Sequence, residues 1–129
     1  MTTTTAIANL KPHPAQMRTT YSLDGLAELC LQIYERGLHD WQPILASPNG
    51  EEGTFYIVSG HRRQMAQLLA FALGDWAEEH PETDISAELS RTMIEALVNS
   101  LGSLDKLIES LLARYGDREI SFVPFDGGR

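Results

Sequence analysis

The stretch Ser59-Gly60-His61-Arg62-Arg63 joins the apolar run Thr54-Phe55-Tyr56-Ile57-Val58 to a segment whose apolar residues recur at helical spacing. A glycine between a strand and a helix leaves the first helical N–H groups free. It also opens the positive end of the helix dipole to an anion. Two guanidinium groups at that point add forked donors that match phosphate oxygens. Simple solvation of a helix start is the competing account, but cations at an N-terminus oppose the dipole and need another reason to be there. The junction is therefore a candidate anion site. Gln16 and Arg18, in the turn that follows Pro12 and Pro14, form a second polar element. It either reaches the same pocket or is an exposed loop, and sequence spacing does not decide between these.

Other chemistry-bearing residues are less pointed. His13, His39, His61 and His80 lie far apart and Cys30 is the one cysteine, so no pair has metal-ligand spacing and no structural metal is expected. Asp24 and Glu28 share a helix face four residues apart, where favourable placement near a positive helix end accounts for them without metal chemistry. Cys30 falls in an apolar stripe, the setting of a buried, unreactive thiol. Trp41 could stack on a base but fits a core position better.

The elements that must carry these residues are readable in order. A Thr-rich start leads to a short strand, Ile7 to Pro12, ended by prolines, and then a loop from His13 to Tyr21. Ser22 caps a helix with Leu26, Leu29, Cys30 and Ile33 on one face, closed by Gly37. Pro43 to Ala46 and Thr54 to Ser59 flank a turn-rich stretch and form a hairpin. A helix from His61 to Leu73 is expected to stop at Gly74. An acidic stretch from Asp75 to Thr83, broken by Pro81, leads to helices Ile85–Gly102 and Ser103–Gly116, joined as a hairpin. A last strand spans Glu119 to Phe125. The pattern predicts an α+β (α/β) fold: a small mixed sheet with three packed helices.

Composition sets the outer limits. With 129 residues, 43% of them apolar, the chain can build one domain with a real core. No apolar run approaches the roughly 20 residues of a membrane span, and Met1 to Ala6 has neither the basic region nor the apolar run of a signal peptide. No membrane and a cytoplasmic setting are the expectation. The net charge is −8, carried unevenly. Residues 1–74 hold five basic against six acidic groups, whereas the remaining 55 hold five against twelve, a balance of −7. Arg91, Lys106 and Arg114 are outnumbered by Glu88, Glu95, Asp105 and Glu109, so the hairpin lacks the positive face of a DNA-reading helix-turn-helix. The broad apolar stripes around Leu97 and Leu107 instead suggest a homodimer.

Four blocks in order make the chain resemble the N-terminal domain of the ParB partition proteins, in the ParB/sulfiredoxin superfamily. They are Leu10-Lys11-Pro12-His13-Pro14-Ala15-Gln16-Met17-Arg18; Tyr21-Ser22-Leu23 with Leu26-Ala27-Glu28-Leu29; Gly37-Leu38 with Gln42-Pro43-Ile44; and Tyr56 to Ala66. The resemblance implies a pocket for CTP or another nucleotide with magnesium. Ser59, Gly60, His61, Arg62 and Arg63 would hold phosphates, Gly37, Gln42 and Pro43 would line the base, and Gln16 and Arg18 would complete the pocket. It implies DNA partition or DNA-associated regulation, with DNA reached only through regions outside this chain. Catalytic residues stay unassigned, leaving either a weak nucleotide triphosphatase or binding alone. A different class remains open, a non-catalytic interaction or dimerisation module with a vestigial pocket.

Departures from the family pattern are specific. His61 stands where ParB proteins usually have an acid, and the turn lacks the cysteine of sulfiredoxins, which excludes their thiol chemistry. The loop between Gly37 and Gln42 is two residues longer than usual, and residues 75–116 read as a helical insertion in a single domain spanning 1–129. The metal-binding Glu-Asn-x-x-Arg block and the DNA-reading helix-turn-helix are absent, as in a fragment of a longer protein.

Overall fold

Serine caps start three of the four α-helices among the described residues. Ser22, Ser86 and Ser103 each accept a hydrogen bond at 3.1–3.2 Å from the backbone N–H three residues on, satisfying one of the donors a helix start leaves over. The computed structural model describes residues 3–12, 22–37, 44–48, 50 and 52–124. In chain order the elements are β1 (Thr3–Ala6), a 3-10 turn (Ile7–Asn9), β2 (Leu10–Pro12), α1 (Leu23–Arg36), β3 (Leu45–Pro48) and β4 (Phe55–Ser59). They continue with α2 (His61–Glu79), α3 (Ala87–Leu101), α4 (Leu104–Tyr115) and β5 (Glu119–Pro124).

The five strands form one mixed sheet in the order β1-β5-β3-β4-β2, with β2 parallel to β4, β3 parallel to β5, and the other two pairs antiparallel. A flat sheet of this order would hold β1 and β2 about 19 Å apart. The four backbone steps from Ala6 to Leu10 reach at most about 15 Å. The sheet must therefore curl until its two edges can be joined by the single 3-10 turn. Ile7 and Leu10, both buried, face a core shared with Ile57, Phe122 and the apolar residues of α2. Phe122 is 1% exposed, its ring centroid 4.7 Å from that of Phe55.

Three expectations need correction. The segment before Ile7 is a strand, and Ile7–Pro12 is split into a turn and a three-residue strand. A run of threonines shows no apolar alternation, and pairing with β5, Thr3 opposite Phe122, is what makes it a strand. Gly74 does not stop α2, which continues to Glu79. Gly74 is not among the glycines with positive φ, and a Cβ there would meet the Tyr34 ring at 3.8 Å, so it serves as a contact point with α1. The described residues form four α-helices, the last two being the expected hairpin.

The hairpin of α3 and α4 is built onto this frame. Ser90 is buried and its Oγ donates to the Ala27 carbonyl at 3.1 Å, so α3 packs on α1 through small residues. Cys30 is buried beside it, and burial pushes its thiol up to about 11, against a hydrogen bond with Ser90 that pulls the other way. The thiol is buried at 0% exposure, on the apolar face where the sequence places it. On the other side, Tyr115 Oη donates to Asp75 Oδ2 at 2.5 Å, and Arg118 lies over the rings of Tyr115 and Phe71 at 4.6 and 4.9 Å.

Because Phe122 fills the centre of the curled sheet, Phe122→Ala should cost about 3–5 kcal/mol. Urea unfolding followed by circular dichroism measures this, and a loss under about 1 kcal/mol would show that the sheet is not wrapped around that ring.

Candidate anion site at paired helix ends

Gly60 adopts φ 97° and ψ 22°, a left-handed conformation that side chains resist, and its carbonyl accepts from Gln64 N at 3.1 Å. The chain thereby turns from β4 directly into α2. No side chain caps α2, and its first turn holds no acid. The sequence-derived junction of strand, glycine and basic helix start is thus present.

Arg62 adds what the sequence did not reveal. Its Nη2 lies 2.6 Å from where a Cβ on Gly25 would sit, so the guanidinium rests on the first turn of α1. Further along, Tyr34 of α1 meets Gly74 of α2. Contacts of residue 25 with 62 and of 34 with 74 mean that the two helices run parallel. Their positive ends therefore lie side by side, and the exposed Arg62 reaches from the start of α2 to the first turn of α1. Gly25 had no role in the sequence reading. A glycine in the first turn of an otherwise well-formed helix was the available signal, because glycine there costs about 0.5–1 kcal/mol relative to alanine.

The strands aim other segments at the same place. Pro12 pairs with Ile57 in a parallel ladder, so β2 leaves the sheet in the direction in which β4 runs to Ser59 and Gly60. Leu45, near the start of β3, is opposite Ser59. The carboxyl ends of parallel strands beside helix N-termini are a common ligand position in α/β structures. Gln16, Arg18, Gln42 and Pro43 lie outside the described residues. Their neighbours in the chain, Pro12, Ser22 and Ile44, all stand at this end. Gly37 does not: it closes α1 with φ 76°, twelve residues beyond Gly25 and about 18 Å along the helix axis.

Charge at this end is biased by pairing elsewhere. Asp24, in the first turn of α1, lies 2.8 Å from Arg91 Nε of α3, which also meets Glu95 at 2.7 Å. His61 is half-buried, and that burial pushes its imidazole below the usual 6.5. Among the described residues no group of three or more His, Cys, Asp or Glu comes together as a metal site, and no helix is long and apolar enough to cross a membrane.

Residues 2–72 match the family model described as the ParB N-terminal domain. The chain belongs to that family. Every residue of the candidate site lies within the matched ParB segment, while α3, α4 and β5 lie beyond it. The chain is 38% identical over 64 residues to the chromosome-partitioning protein Spo0J of Thermus thermophilus, a match covering 50% of this chain and 22% of that one. It is 39% identical over 61 residues to a probable chromosome-partitioning protein ParB of Treponema pallidum, covering 47% and 18%. The aligned segment is thus about a fifth of each relative's length. Superposition on a C-terminally truncated ParB of Caulobacter crescentus, complexed with CTP-gamma-S, gives a TM-score of 0.49 at 22% identity over 84% of this chain and 71% of that one.

Gly25→Ala should test the contact between the helix ends. The added methyl meets the far end of a flexible side chain, so Arg62 can yield, and the gain in helix propensity should raise stability by about 0.5–1 kcal/mol. Thermal unfolding reads the change; a drop in stability would mean that Arg62 is fixed more firmly than this contact implies.

Proposed function

We propose that this ParB-family domain binds a nucleotide of the CTP type, with its phosphates at the paired N-termini of α1 and α2. The observation that carries this reading is the Arg62 guanidinium, on an exposed residue in the first turn of α2, resting against the first turn of α1 beside the left-handed Gly60. Arg63, half-buried in the same turn, supplies the second guanidinium. Two guanidinium groups and the N–H groups left over at a helix start supply donors that match phosphate oxygens. Gln16, Arg18, Gln42 and Pro43 complete the pocket in this reading, and Gly37 takes part only through the loop it begins. The nucleotide would carry any magnesium on its phosphate oxygens, and no residue is assigned to the metal or to hydrolysis. The setting is cytoplasmic chromosome partition or related regulation, in line with the names of the relatives, with DNA held by regions outside this chain.

Calorimetric titration of CTP, ATP and sulfate into the wild type, Arg62→Ala and Arg63→Ala tests it. Each guanidinium contributes charge-assisted hydrogen bonds worth about 1.5–3 kcal/mol, a loss of roughly ten- to a hundredfold in affinity. Sulfate matters because it does not titrate near neutrality as phosphates do. Protonated His61 adds a third cation, so sulfate should bind more tightly as pH falls. Burial places that gain below the usual histidine range in the free protein. Stability runs the other way: the unfolded chain takes up the His61 proton first, so folding weakens as pH drops below about 6.5 and levels off below the folded-state value. Affinities untouched by both arginine substitutions would remove the pocket.

A second reading, an interaction module that works as a homodimer, draws on the hairpin. Met93, Leu97 and Leu101 of α3, spaced four apart, open onto a groove of about 250 Å³ between α2, α3 and α4. Glu79 stands on the α2 wall and Arg114 on the α4 wall, so a second copy can offer both signs in return. Light scattering at rising protein concentration should show a dimer that Leu97→Glu dissociates; a monomer at every concentration rejects this reading.

A further inference from the structure

Two successive residues of α1 face different neighbours. Gly25 receives the Arg62 guanidinium from α2. The Asp24 carboxylate instead lies 2.8 Å from Arg91 Nε of α3, and the same nitrogen meets Glu95 at 2.7 Å. Side chains one residue apart on an α-helix point about 100° from each other, so the first turn of α1 gives an acid to α3 and an open backbone to α2. Asp24 is the one acid in that turn, and the first turn of α2 has none. It is therefore the carboxylate placed to oppose an anion at these helix ends.

A cleft of about 400 Å³ between α1 and α3 is lined by Asp24, Ala27, Glu28, Ala87, Glu88 and Arg91. Among these residues Arg91 is the one cation, facing three carboxylates. Without it, Glu28 and Glu88 repel Asp24 from the cleft, and Arg62, resting against the next residue, is the cation to which Asp24 can turn. An Asp24–Arg62 pair would engage the guanidinium that phosphate oxygens are to meet. We propose that Arg91 is a positioning residue for the anion site: it holds the Asp24 carboxylate on the α3 side of α1 and so keeps an acid away from the paired helix ends. This rests on the nucleotide reading above and extends it to a residue of α3, beyond the segment 2–72 that matches the family. The added hairpin thereby acts on a site that the matched segment builds.

Pyrophosphate is the probe, because it asks only for the helix ends with Arg62 and Arg63. Calorimetric titration at low ionic strength should show Arg91→Gln binding about three- to fivefold more weakly than the wild type, the size of one charge acting at a helix end. Arg91→Lys keeps a cation for Asp24 and should stay within about twofold. Asp24→Asn removes the acid and should bind at least as tightly as the wild type. In the double variant Arg91→Gln has no carboxylate left to release, so its affinity should match that of Asp24→Asn. The loss in Arg91→Gln should also shrink as salt is added, since both partners are exposed.

A loss that persists in the double variant would mean that Arg91 acts as a distant charge or through the fold, and overturns the proposal. So does weaker binding by Asp24→Asn. An exposed pair adds little to stability, so the variants should unfold close to the wild type. A residue that only supports the packing of α3 on α1 would instead lower the unfolding temperature and leave pyrophosphate affinity unchanged. A wild type that does not bind pyrophosphate removes the nucleotide reading and this one with it, whereas normal wild-type binding with an unaltered Arg91→Gln removes this one alone.

Discussion

Packing α1 parallel to α2 places two like helix poles together, and most of what is distinctive about this domain follows from that constraint. Two half-charges at a helix spacing of about 9 Å repel by roughly 0.5 kcal/mol at an effective dielectric of 20. That is small beside the burial of Leu26, Cys30, Leu68, Leu69 and Leu73, each a side chain at 0% exposure. Apolar contact along the helices therefore holds their positive ends side by side without any help from a ligand. Arg62 and Arg63 raise the potential further at that end.

The curl of the sheet has the same consequence from the other side. The chain crosses from one edge to the other in a single 3-10 turn, and β2 then pairs with β4 in parallel. Both strands then end where the helices begin. Parallel strands and parallel helices thus point their polar ends to one place, although the residues that do so are scattered from Pro12 to Arg63.

What could be read from the sequence was what is decided locally. The Ser22 cap, the hairpin before Ser59 and the glycine turn into α2 depend on residues within a few positions of each other, and the structure contains all three. The threonine strand was illegible because its partner, β5, lies more than 100 residues away. Gly74 looked like a stop because glycine after an apolar helical face often is one; only contact with Tyr34 gives it another use. The burial of Gln64 is set by where β2 passes, which no local pattern records. Arg62 stands in a basic turn that the sequence displays, but its contact with Gly25 joins two segments that no spacing rule connects.

The acidic hairpin, finally, bears on the site through Arg91. An acid in the first turn of α1 would ordinarily offset the positive helix end and compete with an incoming anion. Asp24 holds that place, yet its carboxylate faces Arg91 of α3, which it shares with Glu95. These pairs are exposed, more than half in the case of Arg91 and Asp24, so each adds little to stability. Their effect is on direction: the negative charge of Asp24 is engaged on the α3 side of α1, while Arg62 occupies the side toward α2. The half of the chain with a balance of −7 thereby supplies a cation at the point where it meets the site, and α1 presents an acid to one neighbour and a positive end to the other.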